Sequence, residues 1–346
     1  MAQFSNPSRS FSSRPQHKYF DPVAVTDTST VIASYVADGK SATGYQSEAD
    51  LEDAFINQLT NQAYEHADIR TAEAMRDNLR QKLEELNEYS FTDSEWDSFY
   101  RAEIANPSAG IVEKTRTMQV DHEKNLIRED GTTKNIRLID KTNIYRNSLQ
   151  VINQYATKGS DKGNRSNRYD VTVLVNGLPL VHVELKRRGV AIREAFNQID
   201  RYQRDSFWAD EGLFQYVQLF IISNGTQTKY YSNTTRDLHV KEVAGKANPR
   251  RNKRKTSNSF EFTSWWADAS NKPIMDLIAF AKTFMSKHTL LSVLTKYCIF
   301  TVDELLLVMR PYQIAAAERI LNRIERSVLN KQLGTINACL LYTSDA

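Results

Sequence analysis

Arg168-Tyr-Asp170-Val-Thr-Val-Leu-Val-Asn-Gly-Leu-Pro-Leu-Val-His-Val-Glu184-Leu-Lys186-Arg-Arg-Gly189 is the stretch on which the reading of this chain turns. It reads as a β-hairpin: two apolar runs with alternating character flank an Asn176-Gly177 pair, a strong turn signal. An acid stands at the start of the first strand, and Glu-x-Lys closes the second. Two carboxylates and an ammonium collected by a hairpin can hold Mg²⁺, bind a scissile phosphate and orient a water, so the stretch points to metal-dependent phosphodiester hydrolysis. Register decides whether the three meet. Val171, Val173 and Val175 with Val181, Val183 and Leu185 form the natural core-facing set, which leaves Asp170 and Thr172 with His182, Glu184 and Lys186 on the other face. A strict two-residue turn would pair Val175 with Leu178 and carry Asp170 opposite Val183, away from Glu184. The core pattern and the acid pair both require a shift by one residue. The expectation is therefore a three-residue connection or a bulge, with Gly177 at positive φ and Pro179 beside an interrupted ladder.

Outward from the hairpin, Lys158–Asn167 reads as a basic loop leading through Arg168 into Asp170. After Gly189 a helix is predicted over 191–207, with Gln198 and Tyr202 four apart on one face beside the strand end. Gln218–Ser223 reads as a buried strand, completing a βαβ unit in a mixed α/β sheet. Upstream, Ser47 suits the N-cap of a helix bearing Leu51, Phe55, Ile56 and Leu59 at helical spacing. Two more helices are predicted over 71–86 and 94–105, the latter stopped by Asn106-Pro107. Residues 143–155 fit either helix or strand. His182 reads as a structural histidine or a hydrogen-bonding neighbour of Glu184. Trp265 and Trp266 are expected in the core at the junction to helices beginning over 274–285.

Composition sets the frame. The chain has 346 residues, 40% hydrophobic, with a net charge of +3, enough for one large core or two smaller ones. No apolar run approaches a membrane span, and the Ser-, Arg- and Gln-rich start lacks the apolar centre of a secretory signal, so the expected location is the cytoplasm, with no membrane partner. Cys298 and Cys339 are too few and too far apart for a disulfide framework or a zinc site. Residues 1–44 read as a flexible N-terminal arm with a short strand at Val31–Val36. Charge concentrates at 236–259, where Lys246, Arg250, Arg251, Lys253, Arg254 and Lys255 lie without an intervening acid. That segment reads equally as a solvated loop or as a basic insertion touching phosphates.

Taken together, Arg168-Tyr-Asp170, Glu184-Leu-Lys186-Arg-Arg-Gly189, Arg193 through Gln198 to Tyr202, and Ile222-Ser-Asn-Gly225 closely resemble the N-terminal part of the restriction (R) subunit of type I restriction-modification enzymes. The resemblance runs from about Tyr45 to Leu329. It implies an α/β fold: a PD-(D/E)xK restriction-endonuclease-like mixed sheet flanked by helices, over 45–268. Asp170, Glu184 and Lys186 would be the catalytic residues, the two acids as metal ligands and the lysine orienting the attacking water. Gln198 and Tyr202 match a Gln-x-x-x-Tyr element expected to support the site or touch DNA, with Arg168 beside them. Glu52 matches the acid that such folds add from the first helix, although helical spacing alone makes it a solvated surface acid.

Leu305 to Arg310-Pro-Tyr-Gln313-Ile-Ala-Ala resembles the superfamily 2 helicase motif whose glutamine reads the adenine of ATP. Segment 269–346 is accordingly expected to hold linker helices and the helical start of a RecA-like helicase motor domain, with Arg310 and Gln313 as its adenine contacts. As a plain helix, the same stretch would point Ile314, Ala317, Ile320, Leu321 and Ile324 at a core. No Gly-x-x-x-x-Gly-Lys-Ser/Thr phosphate loop occurs in the 346 residues, so the chain itself should not hydrolyse ATP. It is expected to be a fragment of a longer subunit, with residues after about 331 not native. The implied activity is restriction endonuclease: Mg²⁺-dependent cutting coupled in the full-length subunit to ATP-driven translocation, with double-stranded DNA and the methyltransferase (M) and specificity (S) subunits as partners. The alternatives are a free-standing repair or junction nuclease of the same fold, and a non-catalytic DNA-binding or assembly module.

Overall fold

The computed structural model describes residues 29–36, 46–156, 168–207, 209–234 and 263–332. The predicted basic loop at 158–167, the basic insertion at 236–259, the rest of the N-terminal arm and the C-terminal end lie outside these residues. In chain order the elements are α1 (Glu48–Thr60), β1 (Glu65–His66), α2 (Ala72–Asn87), α3 (Asp93–Phe99), α4 (Ile111–Gln119), β2 (Glu123–Ile127), β3 (Thr133–Arg137), β4 (Leu149–Ala156), β5 (Arg168–Val175), β6 (Leu178–Leu185), α5 (Ile192–Asp205), β7 (Leu219–Ser223), β8 (Thr228–Ser232), α6 (Leu277–Thr283), α7 (Lys287–Lys296), β9 (Cys298–Phe300), β10 (Leu306–Val308) and α8 (Pro311–Gln332). A π-helical turn, Tyr100–Ile104, continues α3, and 3₁₀ turns cover Asp210–Tyr216 ahead of β7.

The centre is a six-stranded mixed sheet in the order β1-β4-β5-β6-β7-β8. β4, β5 and β6 run antiparallel, β6 and β7 are parallel across α5, and β8 returns antiparallel. The helices that open the chain are held by the caps their sequences offer. Ser47 accepts from the Asp50 amide while Asp50 reaches back to Ser47, and Thr92 forms the same reciprocal pair with Glu95. Residues 143–155 resolve to a 3₁₀ turn at Ile144–Arg146 followed by β4.

The hairpin register is the fold's decisive feature. Val175 pairs with Leu178 and Leu174 with Pro179, as a two-residue turn dictates, but Val173 pairs with Val181, Thr172 with His182 and Val171 with Val183. Leu180 is the extra residue of a bulge on β6. The expected shift is present, and of the two expected routes it is the bulge, set behind a two-residue turn, that supplies it. Asn176 (φ 50°) and Gly177 (φ 83°) are both left-handed, which is the type I′ turn that Asn-Gly favours. A Cβ at Gly177 would come within 2.6 Å of the Leu79 Cα, so α2 is packed on the turn as closely as glycine allows. Continuing the shifted register sets Asp170 across from Glu184.

Three expectations are corrected. Val31–Val36 forms no strand; Val31 and Ala33 are buried, the Ile32 carbonyl accepts from the Ala269 amide, and the Thr30 amide donates to Glu318 on α8. Trp266 is buried, whereas Trp265 is half-buried beneath the Lys229 ammonium, 4.7 Å from the ring centroid. On α8 only the first turns meet a core: Ile314 is fully buried, but Ile320, Leu321 and Ile324 are each more than half exposed. Among the described residues, no helix is long and apolar enough to cross a membrane.

Candidate active site

β5 and β6 bring Asp170, Glu184 and Lys186 together. Asp170 Oδ2 accepts from the Leu185 amide at 2.9 Å, which ties the first acid across the ladder to the residue following the second. Lys186 Nζ donates to Glu184 Oε1 at 3.0 Å and to the Leu185 carbonyl at 2.9 Å. The cluster lies on a covered face of the sheet, opposite the valine set. Glu184 and His182 are fully buried and Lys186 is only 8% exposed, because α5 and the aromatic rings of Tyr169, Tyr202, Phe207, Phe214 and Phe220 close over this side of the sheet. Strand sequence gives period-two faces but not which face a later helix will cover.

Burial governs the charges. Asp170 is pushed up to about 7, first by desolvation and then by the Glu184 charge, with the Leu185 amide opposing. Glu184 is also pushed up to about 7 by desolvation, against the Lys186 ammonium and a hydrogen bond with Asp170. For Lys186, burial alone would lower the ammonium, but Glu184 and Asp170 outweigh it and leave it raised. The two acids therefore behave as a pair that is reluctant to carry two negative charges without a cation.

Glu184 Oε2 is buried with no hydrogen-bond partner, and so is His182 Nε2, which approaches it at 3.5 Å. His182 is driven down to about 4 by burial, so it is neutral and this approach is not an ion pair. Its Nδ1 meets the Thr172 hydroxyl at 3.2 Å. An orphaned carboxylate oxygen beside a second acid of raised pKa fits a hard divalent cation, which takes oxygen ligands. Asp170, Glu184 and the Leu185 carbonyl are the donors that could hold it. Among the described residues no three His, Cys, Asp or Glu side chains are grouped as a metal cage. The site is a carboxylate pair, which suits Mg²⁺, an ion that keeps several of its own waters.

Gln198 and Tyr202 do lie together. The Gln198 amide donates to the Tyr202 hydroxyl, which donates to the Arg168 carbonyl at 2.7 Å, two residues before Asp170. Their contact is with the strand backbone, while the Arg168 side chain is exposed. Glu52 departs from the surface-acid reading. It is only 7% exposed, with Oε1 accepting from Asn153 at 2.7 Å and Oε2 from Gln154 at 2.6 Å. Burial raises its pKa, and the Asp170 charge adds to the rise. Sequence reasoning missed Glu48, one turn earlier on α1, which lies 3.9 Å from Lys186 and accepts from the Arg187 amide. The available signal was its spacing of four from Glu52, which puts both acids on one side of the helix. Arg310 and Gln313 sit at the start of α8, both exposed, where the Gln313 side-chain oxygen accepts from the Arg310 amide as a local cap.

Comparison with known proteins places the chain. A family model described as "Type I restriction enzyme R protein N terminus (HSDR_N)" matches residues 45–239. The chain is 45% identical over 313 residues to the type I restriction enzyme EcoprrI endonuclease subunit of Escherichia coli, covering 90% of this chain and 93% of that protein. It belongs to the type I restriction enzyme R protein family. It is also 36% identical over 285 residues to the SauMSSORF170P endonuclease subunit of Staphylococcus aureus (strain MSSA476), and 35% identical over the same length to the SsaAORF53P endonuclease subunit of Staphylococcus saprophyticus. It spans 27% of the length of each of these two. Within this type I R protein chain, the matched segment contains β5, β6 and α5, and with them Asp170, Glu184, Lys186, Gln198 and Tyr202.

Proposed function

We propose that this chain carries the DNA-cutting site of a type I restriction endonuclease subunit, hydrolysing phosphodiesters of double-stranded DNA with Mg²⁺. The observation that carries the reading is the bulge-shifted hairpin, whose register opposes Asp170 and Glu184 and leaves Lys186 on the Glu184 carboxylate. Bound Mg²⁺ would lower the pKa of a coordinated water and offset charge developing on phosphorus. The chain's own groups do the rest. Asp170 and Glu184, with the Leu185 carbonyl, present the oxygen donors. Lys186 keeps a permanent positive charge beside the pair, where it can steady the phosphate oxygens and orient the water. Tyr202 and Gln198 fix the backbone at Arg168 and so the strand end that carries Asp170, while the exposed Arg168 guanidinium is free to meet a backbone phosphate. The aromatic lid excludes water from the buried side of the site and strengthens each of these charge interactions.

The reading extends to the longer subunit. Residues 45–268 form a PD-(D/E)xK nuclease domain, and Arg310 and Gln313 begin the adenine site of a superfamily 2, RecA-like motor whose ATP-driven translocation is coupled to cutting in the cytoplasm, in a complex with methyltransferase (M) and specificity (S) subunits. In the experiment that tests it, the full-length subunit is assembled with those two partners and supplied with plasmid DNA, Mg²⁺ and ATP. Cutting is expected for the unaltered assembly and absent with Asp170→Ala; undiminished cutting by the Asp170→Ala assembly would remove the site.

A further inference from the structure

Neighbouring residues on a strand point to opposite faces, so one carboxylate should not receive both of two consecutive side chains. On β4 it does. Asn153 donates to Glu52 Oε1 and Gln154 to Glu52 Oε2, each at 2.7 Å or less. The arrangement depends on Gln154, whose φ of 54° is left-handed inside the strand. The β4–β5 ladder runs on either side of it, Asn153 pairing with Val171 and Tyr155 with Tyr169, and Gln154 stands across from Asp170. A non-glycine residue held in that conformation costs free energy and persists only where its surroundings over-determine it. Asn153 is oriented from its other end too, since His66 Nε2 lies 3.2 Å from its Oδ1, leaving the Nδ2 group to face Glu52.

We propose that Asn153 and Gln154 are positioning residues, an amide clamp that holds Glu52 as an outer carboxylate of the Asp170–Glu184 metal site. The inference rests on the nuclease reading and adds to it a role for Glu52 that is not direct ligation. Glu52 is near enough to Asp170 for the two charges to interact, yet it forms no three-acid cage with Asp170 and Glu184 among the described residues. Held outside the Asp170–Glu184 pair, it would act as a second-sphere carboxylate able to orient water on a bound cation. The two amide donors favour the ionised form of Glu52, opposing the burial that raises its pKa. The strained backbone at Gln154 serves the same end, because an ordinary extended residue would turn one of the two amides away.

Mn²⁺ titration of the 346-residue chain, followed by calorimetry in a double-mutant cycle, tests this. Gln154→Met keeps the length of the side chain and removes the donor; Glu52→Ala removes the clamped group. Each alone is expected to weaken Mn²⁺ binding roughly tenfold or more, the usual size of a second-shell effect. In the Glu52→Ala background, Gln154→Met should add nothing, because the clamp then has nothing to hold. An equal further loss in that background would make Gln154 merely structural and overturn the clamp, as would unchanged affinity in Gln154→Met while Asp170→Ala abolishes binding. If Asp170→Ala also binds Mn²⁺ as well as the unaltered chain does, the nuclease site itself fails, and the clamp with it.

Discussion

The β5–β6 hairpin and helix α8 were read by the same rule, apolar periodicity, and the structure treats them oppositely. In the hairpin both faces are covered, and β6 is buried at every residue from Leu178 to Leu185. In α8, Ile314 is buried but Ile320, Leu321, Ile324, Val328 and Leu329 are exposed. Periodicity tells which residues share a face; it does not supply the partner that covers it. Inside the sheet, neighbours on both sides are provided by the chain itself. Beyond its first turns α8 has no such neighbour among the described residues.

The contrast is sharpened most by substitutions at the hairpin's charged end. Asp170→Asn, Glu184→Gln and Lys186→Met are each expected to lower DNA cutting by about 10³-fold in the assembled enzyme, the scale of losing one preorganised electrostatic group. These near-isosteric changes are the informative ones, because Glu184 and Lys186 are buried and Asp170 is half-buried, so truncation to Ala adds a cavity. Far-UV circular dichroism of each purified variant separates lost chemistry from lost fold. At the turn, Gly177→Ala demands a left-handed alanine and a Cβ within 2.6 Å of the Leu79 backbone. It should cost about 2–4 kcal/mol in urea unfolding. A cost under about 0.5 kcal/mol would mean that the turn tolerates a change of register.

The pair's titration gives a prediction of intermediate size. Asp170 and Glu184 have folded pKa values raised to about 7, above their ordinary 3.8 and 4.5. The folded state therefore binds more protons than the unfolded state between those limits, and the metal-free chain should lose stability as pH rises from about 4 toward 7, then level off. Urea unfolding across that range, compared with the Asp170→Asn, Glu184→Gln double variant, isolates the contribution. A metal-free profile that does not fall relative to the double variant would deny the pair its raised pKa values. The smallest effects belong to α8. Ile324→Lys should change the stability of this chain by less than about 0.5 kcal/mol, whereas Ile314→Ala should cost about 2–4 kcal/mol. A large loss from Ile324→Lys would mean that the exposed face has a partner within the chain.

Much of the site was legible because its geometry follows from pairing arithmetic. The need for a one-residue shift could be deduced from where Val171 to Val175 and Asp170 had to point, and the bulge at Leu180 delivers it. Its mechanism was not legible, because an Asn-Gly turn with a bulge and a longer loop satisfy the same parity. Which residues bury Glu184 and His182 was hidden for a different reason. Their burial depends on α5 and on Tyr169, Phe207 and Phe214, residues far apart in sequence that fold over one face. Glu52 was misjudged on helix spacing because its partners, Asn153 and Gln154, lie a hundred residues away and reach it only through a left-handed residue within a strand. Local rules price a carboxylate by its own element, and here the neighbouring strand decides.

The central claim is that one register sets the half-buried Asp170 and the buried Glu184, both with raised pKa values, side by side, so that a divalent cation binds there in place of a proton. Mn²⁺ binding at pH 6.5, measured calorimetrically in buffers of different ionisation enthalpy, tests it directly. The unaltered chain is expected to release roughly one proton per cation, and the Asp170→Asn chain to bind at least tenfold more weakly with that release lost. Binding of equal strength in both chains, with no proton released, would contradict the account.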